Sequence, residues 1–470
     1  MKTFHNHFLA LVIILSSFVF LNFSTIKNSN KNSSQGKSDI QINKKELAAQ
    51  VKSEFIHAWE GYKKYAWGHD ALLPLSKSYK DWYGVSFYMT PIDAFDTMKL
   101  MKLTKQANEA KALILDSLSF NKDISVQTFE ITIRLLGGLL SSYGLDGDKR
   151  FLKLAEDLGN RLLPSFNSKT GMPYRFVNLM TGKTEGKVSN PAEIGTLMIE
   201  FGTLSKLTGN PIYYNKAKNA VVQLYDRRSG IGLVGSEINV GTGKWVNTTS
   251  HIRGGIDSYY EYLLKSWLLF GDKDFKKMWE TSIDAINKYL ADSAASGFWY
   301  AQADMNTGKI TSTNYGALDA FFPAVLALGG DMKRAEALEA SCYKMWNLEG
   351  IEPETINFET MQIKSPPYPL RPEIIESAYY LYHFTHNKKY LEMGKTFLDD
   401  IVKYCRTDDG FAGLKNVVTK EKDDSMESFF LAETLKYLYL LFAPESTLNF
   451  NKIIFNTEAH PMQRAWGRMK

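Results

Sequence analysis

The sequence predicts an all-α protein in which about seven helical hairpins stack side by side and close into a toroid. Three observations predict it: a turn motif recurring about every 60 residues, helices apolar nearly all round alternating with amphipathic ones, and an acid near the start of each apolar helix.

The turn motif appears as YGLDGDKRFLKLA around Asp148, KLTGNPIYYNKA around Asn210, LLFGDKDFKKM around Asp272, ALGGDMKRAEAL around Asp331 and HFTHNKKYLEMG around Asn387. The intervals are 62, 62, 59 and 56 residues. A Gly-Asp or Gly-Asn turn after an apolar helix, followed by an amphipathic helix, marks a repeated αα-hairpin. Neither helix of a hairpin buries its apolar face alone, so successive hairpins must stack. Residues 46–470 accommodate about seven such units as one domain. The segments 131–140, 194–207 and 429–442 are apolar along their length. Helices of that kind belong to the inner layer of a double-layered structure, which favours a closed ring over an open solenoid. Strands are expected only as short pairings in loops, for example over 297–301.

The acids come next. Asp93, Glu130, Glu193, Asp257, Asp319, Glu373 and Glu427 sit near the starts of the proposed inner helices. In the repeat register Glu130, Glu193, Asp257, Asp319 and Glu373 precede their turn residue by 18, 17, 15, 12 and 14 positions. Ring closure therefore gathers them at one mouth. Capping and the helix dipole account for Asp93 and Glu193, each with Pro at the first helical position and the acid at the third. Glu130, Asp257, Glu373 and Glu427 call for more. Arg134 follows Glu130 at i+4, Glu376 follows Glu373 at i+3, and Arg253 and Arg371 precede Asp257 and Glu373. Acids interleaved with arginines and with aromatics such as Tyr260 and Phe430 compose a saccharide pocket. Two of the acids could serve as general acid and general base across a glycosidic bond.

Composition agrees with a globular chain: 470 residues, 44% hydrophobic and 13% aromatic. The formal charge of +5 is small and the lysines are dispersed, so nucleic-acid binding is unsupported. Lys2 and the apolar run 8–20 read as a secretory signal or signal anchor over 1–24, followed by a polar tether over 25–45. That start is the one expected contact with a membrane. Cys342 and Cys405 alone make neither a disulfide framework nor a metal cluster.

AWGHDALLPLS, FEITIRLLGGLLSSY, IDSYYEYLLKSW, YPLRPEIIESAYYLYHFT, MESFFLAETLKYLYLLF and IFNTEAHP occur in this order between about residue 55 and residue 461. Together they resemble glycoside hydrolase family 47, the class I α-1,2-mannosidases. LDAFFPAVLALGGD and GFAGLKNV are similar to the branch of ER degradation-enhancing mannosidase-like proteins. The resemblance implies an (α/α)7 barrel and Ca²⁺-dependent release of terminal α-1,2-linked mannose with inversion, from high-mannose glycans or related mannosides, with a mannose-containing oligosaccharide or glycoprotein as partner. By motif it implies Glu130 as general acid, Glu373 as the base that activates water, and Asp257 as a further essential carboxylate. Exchange of the acid's duty between Glu130 and Asp257 stays open. It implies Thr457 as the Ca²⁺ ligand, with Glu376, Glu427 and Glu458 orienting the ion's waters. Arg134, Glu193, Arg253, Arg371 and Phe430 complete the expected sugar-binding set. A lectin-like mannoside-binding module without efficient turnover is the alternative reading. A monomer on the secretory route is expected, periplasmic or extracellular, with the endoplasmic reticulum or Golgi lumen as alternative.

Overall fold

Each recurrent turn performs what its residues prescribe. Gly147, Gly209 and Gly271 have φ of 83°, 75° and 71°, the left-handed conformation that ends a helix without a Cβ clash. Asp148, Asn210 and Asp272 then cap the following helix, their side chains accepting from the N–H groups of Arg150, Ile212 and Asp274. Asp331 caps onto Arg334 in the same way. At the fifth turn His386 takes the left-handed position, φ 52°, and Asn387 accepts from the Lys389 N–H at 3.1 Å.

The computed structural model describes residues 42–467. Among the described residues fourteen main helices alternate between two layers. They are α1 (Lys44–Tyr65), α2 (Met89–Leu100), α3 (Thr104–Ser117), α4 (residues 128–146), α5 (Lys149–Leu162), α6 (residues 191–208) and α7 (Pro211–Tyr225). They continue with α8 (Asp257–Phe270), α9 (Lys273–Tyr289), α10 (residues 318–328), α11 (Met332–Trp346), α12 (Glu373–Thr385), α13 (Lys389–Cys405) and α14 (residues 430–442). Even-numbered helices form the inner ring and odd-numbered helices the outer one. Each inner helix from α2 to α12 packs on the outer helix that follows it and on its inner neighbours, and α14 returns to pack on α2. The seventh hairpin is not contiguous: α14 has α1 as its outer partner, so the start of the described chain closes the ring. The α2–α3 turn carries Lys102 at φ 56° and no Gly-Asp pair, which is why the repeat did not reveal it.

The expected segments 1–24 and nearly all of 25–45 lie outside the described residues. Helix α1 begins at Lys44, and Asn43 caps it by accepting from the Glu46 N–H at 3.3 Å. Among the described residues no helix is long and apolar enough to cross a membrane.

The loops leading into the inner helices hold more β-structure than the sequence suggested. The strand just before one inner helix pairs antiparallel with the hairpin of the next unit: Val126 with Val177, Ser189 with Ile238, Ser250 with Ala303, Tyr315 with Ile356. Bridges from Tyr368 to Leu414 and from Met426 to Leu72 carry this stitching across the closure. Strands of two to four residues are too short for alternation to be read in sequence. The stitched rim fixes the starts of the inner helices relative to one another.

The other end is plugged. Ile453–Phe455 pairs with Pro461–Gln463, both strands largely buried. Trp466 lies against Gly144 near the end of α4, and Gly467 lies against the Leu269 carbonyl near the end of α8. The hairpin therefore enters the ring from the C-terminal ends of the inner helices, and its tip, residues 456–460, reaches toward their starts.

Candidate active site

A cavity of about 430 Å³ opens among the N-terminal ends of the inner helices, with the plug tip as its floor. Two of the helices that build it contain a π-turn. In α4 the segment Thr132–Leu136 is a π-turn, and in α14 so is Phe430–Thr434. Such turns recur at functional sites because they re-aim side chains within a helix. Here they carry Arg134 and Glu433, and both line the cavity.

Eight carboxylates and three arginines line it. Glu130, Glu193, Asp257, Glu373, Glu376 and Glu458, all expected from the sequence, are brought together there with Arg134, Arg371 and Thr457. Arg134 donates from Nε to Glu130 at 3.0 Å and from Nη1 to Glu458. Its guanidinium lies 5.1 Å from the Trp82 ring and 5.8 Å from the Phe429 ring. Burial opposes its charge, but Glu458, Glu130 and Asp93 hold the guanidinium protonated. Arg371 is held by a fork, Nη2 to Glu354 at 2.8 Å and Nε to the same carboxylate at 3.2 Å.

Burial dominates the titration of the acids. It pushes Glu373 up to about 7, with Arg371 pulling the other way, and Glu373 Oε2 is a buried oxygen without a partner. Burial also lifts Asp257 to about 7, with Glu261, Asp319 and Glu373 adding to it. Glu376 rises to about 8 through burial, although Lys265 and the Tyr437 hydroxyl, which donates to it at 3.1 Å, work against the shift.

Three expected residues are elsewhere. Phe430 is fully buried against Phe411 at 4.8 Å, and its neighbour Phe429 lines the cavity instead. The π-turn begins at Phe430, directly after Phe429. Glu427 precedes α14 and clamps the first rim hairpin, accepting from the Trp82 indole N–H and from Lys80, each at 3.0 Å. Arg253 donates to Thr355 Oγ at 3.0 Å and lies 3.7 Å from Asp319, giving that acid a partner the sequence did not reveal. Capping holds for Glu193, whose N–H donates to Asn190 at 2.9 Å. It fails for Asp93, because α2 starts at Met89 and the Thr90 hydroxyl donates to the Asp70 carbonyl. Asp93 is buried instead among Ser428, His460 and Arg134. Cys342 and Cys405 are free and buried.

Glu261, Glu433, Phe429, Gln127 and Arg175 also line the cavity and were missed. Glu261 and Glu433 left a signal: EYLLK and AETLK place an acid and a lysine inside otherwise apolar helices. Lys265 indeed binds Glu261.

Thr457 stands at the plug tip, its N–H donating to the Tyr262 hydroxyl at 3.2 Å. Among the described residues no group of three or more His, Cys, Asp or Glu side chains is arranged to chelate a metal. The carboxylate excess, five over the three arginines, and the unpartnered Glu373 oxygen fit a hard cation in the cavity. A cation at Thr457 would take the hydroxyl and carbonyl oxygens, with carboxylates reaching it through water.

Residues 54–464 match the family described as Glycosyl hydrolase family 47. The chain is 38% identical to human ER degradation-enhancing alpha-mannosidase-like protein 2, over 88% of this chain and 77% of that one. It is 37% identical to the mannosyl-oligosaccharide 1,2-alpha-mannosidase MNS1 of Arabidopsis thaliana, over 89% and 79%. The solved structure of alpha-1,2-mannosidase from Trichoderma reesei superimposes with a TM-score of 0.83 at 29% identity, covering 89% of this chain and 99% of that one.

Proposed function

The chain belongs to glycosyl hydrolase family 47, and from that premise we propose that it releases terminal α-1,2-linked mannose from mannose-rich oligosaccharides or glycoproteins, as an inverting, exo-acting, Ca²⁺-dependent enzyme. The observation that carries the proposal is the buried, unpartnered carboxyl oxygen of Glu373 in one cavity with Glu130 and Asp257.

In the proposed reaction a water oxygen attacks the anomeric carbon as the bond to the leaving sugar's oxygen breaks. Glu373 accepts the proton that this water loses. Its raised proton affinity makes it a stronger base than an ordinary glutamate. Glu130 delivers a proton to the departing oxygen, and Arg134, at 3.0 Å, stabilises the carboxylate left behind. Asp257, which burial keeps protonated to about pH 7, is the alternative donor; Glu130→Gln and Asp257→Asn separate the two. Inversion needs the acid and the base about 6.5–9.5 Å apart, so that water fits on the far face of the sugar. Phe429 offers an apolar face to the ring, and Arg371 and Glu376 offer groups to its hydroxyls. Thr457 would hold the cation, which when bound would supply positive charge among these carboxylates for sugar hydroxyls.

Two human relatives carry the endoplasmic reticulum in their names, an ER degradation-enhancing alpha-mannosidase-like protein and an endoplasmic reticulum mannosyl-oligosaccharide 1,2-alpha-mannosidase, which supports a secretory route. A periplasmic or extracellular monomer is proposed, with the lumen of the endoplasmic reticulum or Golgi as alternative. The test is mannose release from α-1,2-linked mannobiose, with and without a Ca²⁺ chelator, following the anomer set free. Chelator-sensitive release of β-mannose supports the proposal. Mannoside binding with no release would replace it by the second reading, a lectin-like module, which the likeness to a mannosidase-like relative favours.

A further inference from the structure

Arg175 lines the same cavity, yet it belongs to none of the inner helices. It immediately precedes the rim strand Phe176–Asn178. Its backbone carbonyl accepts from the Thr128 N–H at 2.9 Å, in the first turn of α4, two residues before Glu130. Its own N–H donates to the Gly186 carbonyl at 3.1 Å. Gly186 has φ 77°, and a Cβ there would come within 2.7 Å of the Arg175 Cβ, so the hairpin crosses this arginine at a distance only glycine permits.

The side chain is placed by an ion pair at Nε. Arg175 Nε lies 2.9 Å from Glu193 Oε1, while Gln127 donates to that oxygen at 2.7 Å and Ser189 to the other at 2.9 Å. The Phe176 ring lies 5.7 Å from the guanidinium carbon. Two nitrogens of Arg134 and two of Arg371 are engaged by carboxylates. In Arg175 only Nε is engaged, and among the described residues neither terminal nitrogen has a protein acceptor. Its side chain is 43% exposed, at the mouth of the cavity rather than its floor.

We propose that Arg175 is a specificity-determining residue, binding hydroxyls of sugar units beyond the one directly attached to the scissile bond. The inference rests on the mannosidase reading and on Glu130 as the acid facing the leaving group. The wall joined to the first turn of α4 is then the wall along which the leaving oligosaccharide runs. A planar guanidinium held at Nε presents two parallel N–H edges, a match for neighbouring hydroxyls of a pyranose. Branches that place such a pair at Arg175 are favoured over branches that do not.

The test compares kcat/KM of the wild type, Arg175→Ala and Arg175→Lys on α-1,2-linked mannobiose and on a branched oligomannoside, with the product isomers identified. A hydrogen bond to a charged group supports an expected loss for Arg175→Ala about tenfold larger on the branched substrate than on mannobiose. That extra loss is expected in KM, with a changed order of branch removal and Arg175→Lys intermediate. Equal losses on both substrates, or a loss confined to kcat, overturn the inference. Should the wild type release mannose from neither substrate, the hydrolase reading falls by itself. Calorimetric affinities for the same two glycans then decide: selective weakening on the branched glycan supports the role of Arg175, and equal affinities overturn it. Melting temperatures of both variants identify any loss that is merely misfolding, in which case Arg175→Lys carries the comparison.

Discussion

His460 Nδ1 lies 2.7 Å from Asp96 Oδ2 inside the ring, with both side chains fully buried. Lys436 closes the group, 2.7 Å from the other Asp96 oxygen, while donating to the Ala459 carbonyl at the plug tip. Burial alone would strip His460 of its proton, but Asp96 and Asp93 raise it to about 9. Asp96 is correspondingly held below its ordinary value by Lys436 and His460, against burial. Charges from α2 and α14 thus fasten the loop that bears Thr457.

Removing one partner of this group leaves an uncompensated buried charge. His460→Ala is expected to cost about 3–5 kcal/mol of unfolding free energy, read by denaturant titration. The sign with pH follows from the raised histidine. Its contribution is full below the unfolded value of 6.5 and is lost as pH rises through about 9. Wild-type stability should therefore fall over that window, and a His460→Ala variant should fall less. Equal slopes for the two proteins would remove the imidazolium from this account.

Glu373→Gln keeps the shape of the carboxyl and removes the base. Mannose release is expected to drop by about 10²–10⁴-fold, with glycan affinity changed far less. A base works deprotonated, so wild-type activity should rise with pH along an acid limb. Its midpoint is set at or below about 7, because a bound cation lowers the proton affinity that burial raised. A glutamine variant that retains activity and this limb would assign the base elsewhere.

Thr457 is expected to link the ion to stability as well as to activity. A ligand that binds only the folded state raises the melting temperature, so chelation should lower it in the wild type. Thr457→Ala should melt near the chelated wild type and respond little to added Ca²⁺. A variant that still gains stability from Ca²⁺ would place the ion at a different site.

The repeat was legible in sequence because four of its five turns use Gly for a left-handed residue and all five follow it with Asp or Asn, residue types with few chemical substitutes there. Ring closure was legible from the inner helices that are apolar all round, but the partner of the last inner helix was not, since pairing of α14 with α1 joins segments far apart in the chain and leaves no local pattern. Acids at helix starts were readable because helical spacing and ring closure carry Glu130, Asp257 and Glu373 to one mouth. Arg253 and Glu427 met the same criteria and bind Thr355 and the rim hairpin instead. Charge at the right spacing does not say which neighbour arrives first. Arg175 was invisible for the opposite reason: it enters from a loop whose path depends on pairing between Val126 and Val177.

Phe429 and Phe430 give the sharpest test of the π-turn. The two rings are adjacent in sequence, yet one lines the cavity and the other packs fully buried against Phe411. Phe430→Ala removes a core ring and is expected to cost about 3–5 kcal/mol of stability. Phe429→Ala removes a cavity wall, so its effect should fall on mannoside affinity and turnover, with a much smaller change in melting temperature. Denaturant titration and glycan calorimetry on both variants read the two effects separately. The reverse pattern would mean that α14 is an uninterrupted α-helix with Phe430 turned inward, and Glu433 would then leave the cavity with it.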